Sequence, residues 1–566
     1  MVLVIENIKL ELKELLEKYF LNTYNLELNI VVEEPKKKEL GDISIPSFVV
    51  VKALRKPLND CVNEIVNVIK DLDIVKSYQI MGGFINIVIN KEEIAKEILD
   101  KIIKEGSNYG NGVKKNETIV LDYSSPNIAK PFSIGHLRST IIGASLKLIF
   151  EKGGYNTFGI NHLGDWGSQF GKVIVAYKKW GNDNSVKENS LSELAKLYVR
   201  FHDEAKTNPE LEDEAREVFK ELELGNEEYL KLWKWFREES INEALKLYDM
   251  LNVKFDSYNG EAFYNDKMDA IVKELEDKKL LVEDDGAMIV DLGESMPPAL
   301  IKRRDGASLY MTRDLAAVEY RKKEYNFKKA LYVVGNEQKL HFNQLRSVIS
   351  KMGYDYADDI IHVNFGLVLQ DGKKMSTRSG RVVTLIDVLN EAIKMAYKQI
   401  DEKNPNLENK EEVSKKIGIG AVIFNDLKNH RSLDYEFNLE QMLKFEGQTG
   451  PYLQYTDVRI KSILNSCKAT NEFDYSLFEK PHYYALIKDI DEFSLNINKA
   501  MEDYAPSVIC KYLLNLASDF NTFYGLEKIN NENEVIRNTN LKLLSAIKIV
   551  LEEGLRLIDI FPLERM

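Results

Sequence analysis

Asp122-Tyr123-Ser124-Ser125-Pro126-Asn127-Ile128-Ala129-Lys130-Pro131-Phe132-Ser133-Ile134-Gly135-His136-Leu137-Arg138-Ser139-Thr140-Ile141-Ile142-Gly143 decides the fold. Just ahead of it, Thr118-Ile119-Val120-Leu121 is a β-branched apolar run suited to a buried parallel strand, which Pro126 and Pro131 interrupt. A helix is expected to open near Gly135-His136. Strand, loop and helix in this order suit a nucleotide, because helix amides and the positive end of the helix dipole attract phosphate. Gly135 permits close backbone approach, and His136 and Lys130 supply donors on either side of the loop. Gly135 and His136 alone would also fit an ordinary strand-to-helix crossover.

The longer string, from Pro126 to Thr140, resembles the His-x-Gly-His signature of class I aminoacyl-tRNA synthetases in its arginine-specific form. Ser133 stands where the family has its first signature histidine, so only His136 carries over as an imidazole. A hydroxyl still donates to a phosphate oxygen, but it cannot become a cation. Downstream, Asp371-Gly372-Lys373-Lys374-Met375-Ser376-Thr377-Arg378-Ser379-Gly380 resembles the second signature, Lys-Met-Ser-Lys, on a mobile loop after Val363 to Leu369. Attack of a carboxylate on the α-phosphorus builds charge on the phosphates, and cations that meet it only then lower the barrier. Lys374 is the evident cation. Thr377 replaces the last lysine, and Lys130 is expected to supply the missing charge from the opposite wall, a pairing the resembled arginine enzymes share. The resemblance thus assigns catalysis to Lys130, His136 and Lys374. It assigns ATP to Pro126, Lys130, Ser133, Ile134, Gly135, His136, His341, Lys374, Met375 and Ser376.

The amino-acid pocket follows from the same likeness. Leu309-Tyr310-Met311-Thr312-Arg313-Asp314 reads as a helix start, and Tyr332-Val333-Val334-Gly335-Asn336-Glu337-Gln338-Lys339-Leu340-His341 as a buried strand with polar groups at its end. A guanidinium has five fixed donors and no acceptor, so its selection calls for a carboxylate, neutral acceptors and an aromatic face. Asp314, Gln338 and Tyr310 match the positions that play these parts in arginyl-tRNA synthetases. The amino-acid end of arginine falls to Asn127 and Ser125, with Asp122 on its ammonium. Asn161-His162-Leu163-Gly164-Asp165-Trp166-Gly167-Ser168-Gln169-Phe170-Gly171 also matches the family and reads as a crevice-lining loop. Taken without the likeness, Asp314 fits equally a carboxylate favoured near a helix N-terminus.

Composition frames these motifs. The chain has 566 residues, 44% hydrophobic and 30% charged, which describes a soluble globular protein of about three domains. No run of roughly eighteen apolar residues occurs, and Met1-Val2-Leu3-Val4-Ile5-Glu6 meets acid at once, so neither secretion nor membrane insertion is expected. Cys61, Cys467 and Cys510 are too far apart for a zinc knuckle and read as thiols of a reducing cytoplasm. A net charge of −13 leaves room for local basic tracks such as Lys36-Lys37-Lys38, Lys114-Lys115 and Lys373-Lys374, most of which would be solvated faces.

Three segments are expected. Residues 1–115 form an α+β module, opening with a helix whose apolar face is Leu10, Leu12, Leu15 and Leu16 and containing the strand around Gly83-Phe84-Ile85-Asn86. In the resembled family such a module contacts tRNA, with Phe84 stacking on a base and Asn86 reading its edge; a core aromatic and a strand-end amide are the alternative. Residues 116–385 form the Rossmann-like parallel-sheet α/β catalytic domain, with a helical insertion at about 182–255 in which Trp233, Trp235 and Phe236 pack the core. Residues 386–566 form an all-α bundle whose last helix carries the stripe Leu544, Ile547, Leu551, Leu555 and Ile558. The strings Gly447 to Arg459 and Phe561 to Met566 resemble the family's anticodon-binding domain.

The likeness implies a class I arginine–tRNA ligase of archaeal or eukaryotic character, a cytoplasmic monomer. It would use ATP, magnesium carried with the nucleotide, L-arginine and tRNA(Arg), with tRNA needed for the activation step. No editing domain is evident, which agrees with a pocket that discriminates unaided. A small-molecule nucleotidyltransferase shares the Gly-His loop but would need neither the bundle nor Tyr310, Asp314 and Gln338. A non-catalytic tRNA-binding relative is the other alternative, raised by Ser133 and Thr377.

Overall fold

The computed structural model describes residues 4–37, 40–128, 132–304, 310–375, 377–378, 381–467, 470 and 472–566. Two compact units emerge. One contains Val113–Tyr455, Ala500–Lys511 and Leu555–Met566; the other gathers the chain up to Gly112 with Thr456–Lys499 and Tyr512–Gly554.

The first unit is built on a four-stranded parallel sheet ordered Ile360–His362, Lys329–Tyr332, Thr118–Asp122, Asn156–Ile160. Ile119, Val120 and Leu121 are buried at 1%, 1% and 0% exposure, as a strand covered on both faces requires. The central strand is in register with both neighbours, Val120 pairing with Phe158 and with Ala330. The chain leaves along one side of Thr118–Asp122 and returns along the other. Its carboxyl end is therefore a topological switch point, where open α/β sheets bind ligands. Helices 134–152, 310–325 and 339–351 pack against the sheet, and Val120, Ile160, Leu315, Phe327, Leu345 and Ile360 share its core.

Helices at 168–180, 190–205, 210–223 and 227–250 enclose a second core around Phe170, Ile174, Phe201 and Phe236. Trp233 and Trp235 pack on it as expected, and the Trp233 indole donates to the Asp165 carbonyl at 2.7 Å. A small antiparallel sheet, Leu281–Asp284, Ala287–Val290 and Ala299–Lys302, follows. Its first turn is Asp285-Gly286, both at positive φ (47° and 80°), the geometry of a tight hairpin.

The second signature is a hairpin up to Met375. Val368–Gln370 pairs with Lys373–Lys374 across Asp371-Gly372 (φ 53° and 71°), and also runs parallel to Tyr435–Glu436. Arg138 of the signature helix is 1% exposed and pairs with Asp426 at 3.2 Å, while donating to the carbonyls of Leu433 and Arg431.

In the other unit, strands Ile43–Pro46, Phe84–Ile89 and Val75–Met81 form an antiparallel sheet in that order. The opening helix, Val4–Tyr24, buries Val4, Ile8, Leu12, Leu16 and Phe20. Leu10 and Leu15 instead face solvent at 46% and 37% exposure, so the apolar face repeats every four residues rather than following the leucines. Tyr109 anchors this segment to the C-terminal helices, donating to the Ile490 carbonyl at 3.2 Å and stacking on Phe493. Leu544, Ile547 and Leu551 are fully buried, as their stripe predicts, and so are Leu555 and Ile558, which belong to the first unit.

Gly143 shows how tightly the signature helix seats on the sheet: a Cβ there would collide with Cβ and Cγ of Tyr123, which is itself fully buried. Overpacking of this kind costs about 1–3 kcal/mol. Gly143→Ala is expected to lower the thermal midpoint by several degrees in a scanning fluorimetry series. Gly525→Ala, on a helix where a Cβ meets nothing within 4 Å, is expected to leave it unchanged or raise it.

Candidate active site

Beyond Asp122 the backbone makes two consecutive left-handed steps, Ser124 (φ 73°) and Ser125 (φ 46°). Each costs on the order of 1 kcal/mol for a non-glycine residue and persists only where surrounding bonds over-determine it. Those bonds are present. The Ser124 amide donates to Ser139 Oγ (2.9 Å), whose hydroxyl donates to the Val333 carbonyl (2.6 Å). Ser124 Oγ meets the buried Tyr248 hydroxyl at 2.8 Å, and Ser125 Oγ donates to Asp122 Oδ1 at 2.9 Å.

Asp122 was expected to hold the substrate ammonium. Its other oxygen instead meets Arg321 Nη1 at 2.8 Å, and the two side chains are 8% and 1% exposed. A carboxylate so occupied braces the turn above it rather than standing free for a ligand. Arg321 also donates to His162 Nδ1 at 3.2 Å, and that ring stacks on Tyr264. Burial holds the His162 ring below its ordinary pKa of 6.5.

Helix 134–152 begins one residue after Ser133, its N-cap. The Ser133 amide donates to His136 Nδ1 at 3.0 Å, and the Ser133 hydroxyl lies 3.1 Å from the same nitrogen. An Nδ1 that accepts an amide leaves Nε2 as the protonated nitrogen of the neutral ring, the tautomer that donates to a phosphate. Gly135 is exposed, and a Cβ there would meet only Ser133 Oγ at 3.6 Å, so an incoming group can approach the helix end closely. Ser125, Ser133, Ile134, Gly135, His136, Gln338, Lys374 and Met375 line one cleft of about 540 Å³ at the switch point. Pro126 and Asn127 are not in that lining; they run against Gly164, whose amide donates to the Pro126 carbonyl at 3.0 Å. Lys130 and Ser376 lie outside the described residues.

Asp314 sits on helix 310–325, half-buried at 34% side-chain exposure, and His341 Nε2 donates to its Oδ2 at 2.6 Å. Burial opposes a charged His341 ring, but the bond to Asp314 and its charge outweigh it and raise the pKa above 6.5. Glu261 is a second acid here. Burial pushes its carboxyl up to about 7, against the pull of Arg313, with Asp314 and Asp165 adding repulsion. Tyr310, expected as the aromatic wall, is 64% exposed at the first residue of its helix. Asn86, expected to read a base, is 2% exposed in the central strand of its sheet. Phe84 is half-buried, edge-on to Phe48, which is 48% exposed.

Sequence reading missed Arg321 and Glu261, and gave His162 no role of its own within the crevice-lining string. Arg321 lies seven positions from Asp314, two helical turns along the same face, but it is one of several charged residues on that helix and nothing local singles it out. Glu261 follows Gly260, where a Cβ would lie 2.5 Å from the Leu163 carbonyl oxygen; no pattern in sequence marks that approach.

Comparison with known proteins agrees with this geometry. Residues 98–439 match the family model for the catalytic domain of class I tRNA synthetases (R), residues 453–566 the DALR anticodon-binding domain, and residues 5–89 the arginyl-tRNA synthetase N-terminal domain. An arginine–tRNA ligase of Exiguobacterium sp. (strain AT1b) is 49% identical over 544 residues, 95% of this chain and 96% of the relative. One from Enterococcus faecalis is 48% identical over 563 residues, covering 98% and 100%. Both are bacterial, whereas the sequence reading leaned towards archaeal or eukaryotic relatives. Among solved structures, Thermus thermophilus arginyl-tRNA synthetase shares the fold with a TM-score of 0.77 at 23% identity, covering 99% of this chain and 100% of that one. The Plasmodium falciparum enzyme aligns with a TM-score of 0.76 at 25% identity, covering 99% of each. The chain belongs to the arginyl-tRNA synthetases, class I ligases that join arginine to tRNA for protein synthesis.

Proposed function

We propose that the cleft at the switch point activates arginine with ATP and that its residues divide the work as follows. The carrying observation is Asp314, a half-buried carboxylate beside a second acid, Glu261, on the helix that also braces the serine turn through Arg321. Two acids close enough to repel each other suit a planar, five-donor cation, and a lysine lacking that fork would leave one of them half-paired. Ser125 and Asn127 take the amino-acid end. Gln338 supplies a neutral acceptor from the cleft wall.

His136 Nε2, the helix amides, Ser133 and Lys374 meet the phosphates; hydroxyls, amides and a lysine are donors suited to that anion. Magnesium arrives with the nucleotide, its ligands being phosphate oxygens and water. The arginine carboxylate attacks the α-phosphorus, pyrophosphate leaves, and the arginyl group then passes to the terminal adenosine of tRNA(Arg). Orientation and charge stabilisation supply the rate, with no covalent enzyme nucleophile.

Exposed Phe48 and half-buried Phe84 in the N-terminal segment offer an aromatic surface for tRNA, and the C-terminal helices meet the anticodon. The enzyme works as a cytoplasmic monomer; Cys61, Cys467 and Cys510 are free thiols, in keeping with a reducing compartment.

Arginine-dependent pyrophosphate exchange should occur only when tRNA(Arg) is added. Binding of tRNA without exchange would favour a non-catalytic relative, and exchange indifferent to tRNA a small-molecule nucleotidyltransferase. Asp314→Asn should raise the KM for arginine roughly a hundredfold, the loss of a charge-assisted bond, with the KM for ATP nearly unchanged. Lys130→Ala should cut exchange at least about tenfold at saturating substrates, because a cation near the leaving pyrophosphate acts chiefly in the transition state. Exchange within a few-fold of wild type would remove Lys130 from the mechanism.

A further inference from the structure

We propose that His341 is a positioning residue for arginine selection: its neutral imidazole grips one oxygen of Asp314 and so presents a fully charged, fixed carboxylate to the substrate guanidinium. This rests on Asp314 being the arginine carboxylate. The family likeness had placed His341 on the nucleotide. Among the described residues that line the phosphate cleft, however, Gln338 is present and His341 is not. His341 turns instead to Asp314, with Nε2 2.6 Å from Oδ2, a bond that leaves Oδ1 unused by the ring.

Both side chains are mostly covered, at 26% and 34% exposure, and the His341 ring packs edge-on against Phe342. A carboxylate pinned by a side chain on a separate helix loses the freedom to rotate away from a ligand. Less ordering is then left to arginine itself.

The protonation state of His341 decides the charge that arginine meets. A neutral ring donates Nε2–H and leaves Asp314 its full negative charge. An imidazolium makes a closed ion pair that repels a second cation. The other groups around the pair are Glu261 and Arg313, which face Asp314 and each other, and His162 and Tyr332, which also feel its charge. His341 sits in the first turn of helix 339–351, whose positive end also disfavours an imidazolium. Even so, in the free protein Asp314 keeps the His341 pKa above 6.5. Arginine binding must therefore expel a proton at mildly acidic pH. By linkage, its affinity rises as pH rises through that pKa.

The test is steady-state aminoacylation by the full chain with tRNA(Arg), at pH values from about 6 to about 8.5, with KM for arginine and for ATP and kcat measured separately. Wild type should show an arginine KM that falls about tenfold across this range, while kcat and the KM for ATP move much less. His341→Gln keeps an N–H donor that does not titrate, and should hold the arginine KM near its high-pH wild-type value at every pH. His341→Ala removes both the grip and the titration, and should hold the arginine KM about tenfold above the high-pH wild-type value at every pH, with kcat little changed.

The proposal is overturned if His341→Gln retains the wild-type pH profile, or if His341→Ala weakens ATP and spares arginine. Asp314→Asn separates the two layers. An unchanged arginine KM there would sink the reading of the pocket itself. A raised KM there, with His341 variants silent, would sink only the role given to His341.

Discussion

The active site hangs on the buried ion pair between Asp122 and Arg321. It joins the carboxyl end of the central strand to helix 310–325 at 2.8 Å, with both partners almost wholly removed from water. Net, such a pair adds little stability over apolar residues of the same size. Deleting one partner strands a buried charge and costs about 3–5 kcal/mol. Its value here is geometric. Through Ser125 it holds the left-handed turn that follows the strand, and through its helix it sets where Asp314 stands. The turn after the strand and helix 310–325 are thereby referred to one rigid point, as the proposed near-attack geometry between carboxylate and α-phosphorus would require.

On the proposed assignment of Asp314, selection of arginine is a matter of charge more than of shape. Glu261 and Asp314 repel each other, and burial already pushes the Glu261 carboxyl to about 7. A ligand bringing a delocalised cation relieves that repulsion; a neutral isostere would not. Since the penalty falls on the protein's own buried groups, discrimination of this kind reaches far beyond what a hydrophobic pocket achieves, and no second hydrolytic site is needed. The overall charge of −13 is no obstacle to the proposed phosphate binding, because the cleft is furnished locally with helix amides, His136 and Lys374.

Legibility in the sequence followed the range of the interactions concerned. The buried strand at Thr118–Asp122, the helix capped by Ser133 and the last helix's apolar stripe rest on local periodicity and capping, and all were readable. The turns Asp285-Gly286 and Asp371-Gly372 carried a strong hairpin signal that went unread because flanking charges masked the alternation of short strands. The commitment of Asp122 to Arg321 spans 199 positions in the chain, and no local pattern reports it. Asn86 and Tyr310 show what residue type leaves open, namely which face a neighbouring element covers. The asparagine is buried and the tyrosine exposed.

The departures from the two signatures also differ in physical weight. Ser133 costs the site a possible cation but preserves the local architecture, because it caps the helix and its amide fixes the tautomer of His136. Thr377 stands where the second signature has its last lysine and carries no charge. What remains, Lys374, is held in register opposite Leu369 by the Asp371-Gly372 turn, whose Gly372 amide donates to Glu436 at 2.7 Å. Met375 is then buried and its amide donates to the Val368 carbonyl at 2.8 Å. The surviving cation is thus carried on an anchored hairpin, so its approach to the phosphates is limited to small adjustments of a long side chain. A cation so restrained stabilises charge from one side only. An in-line displacement spreads charge to both, and this asymmetry is the physical reason to look to the opposite wall for the second positive group.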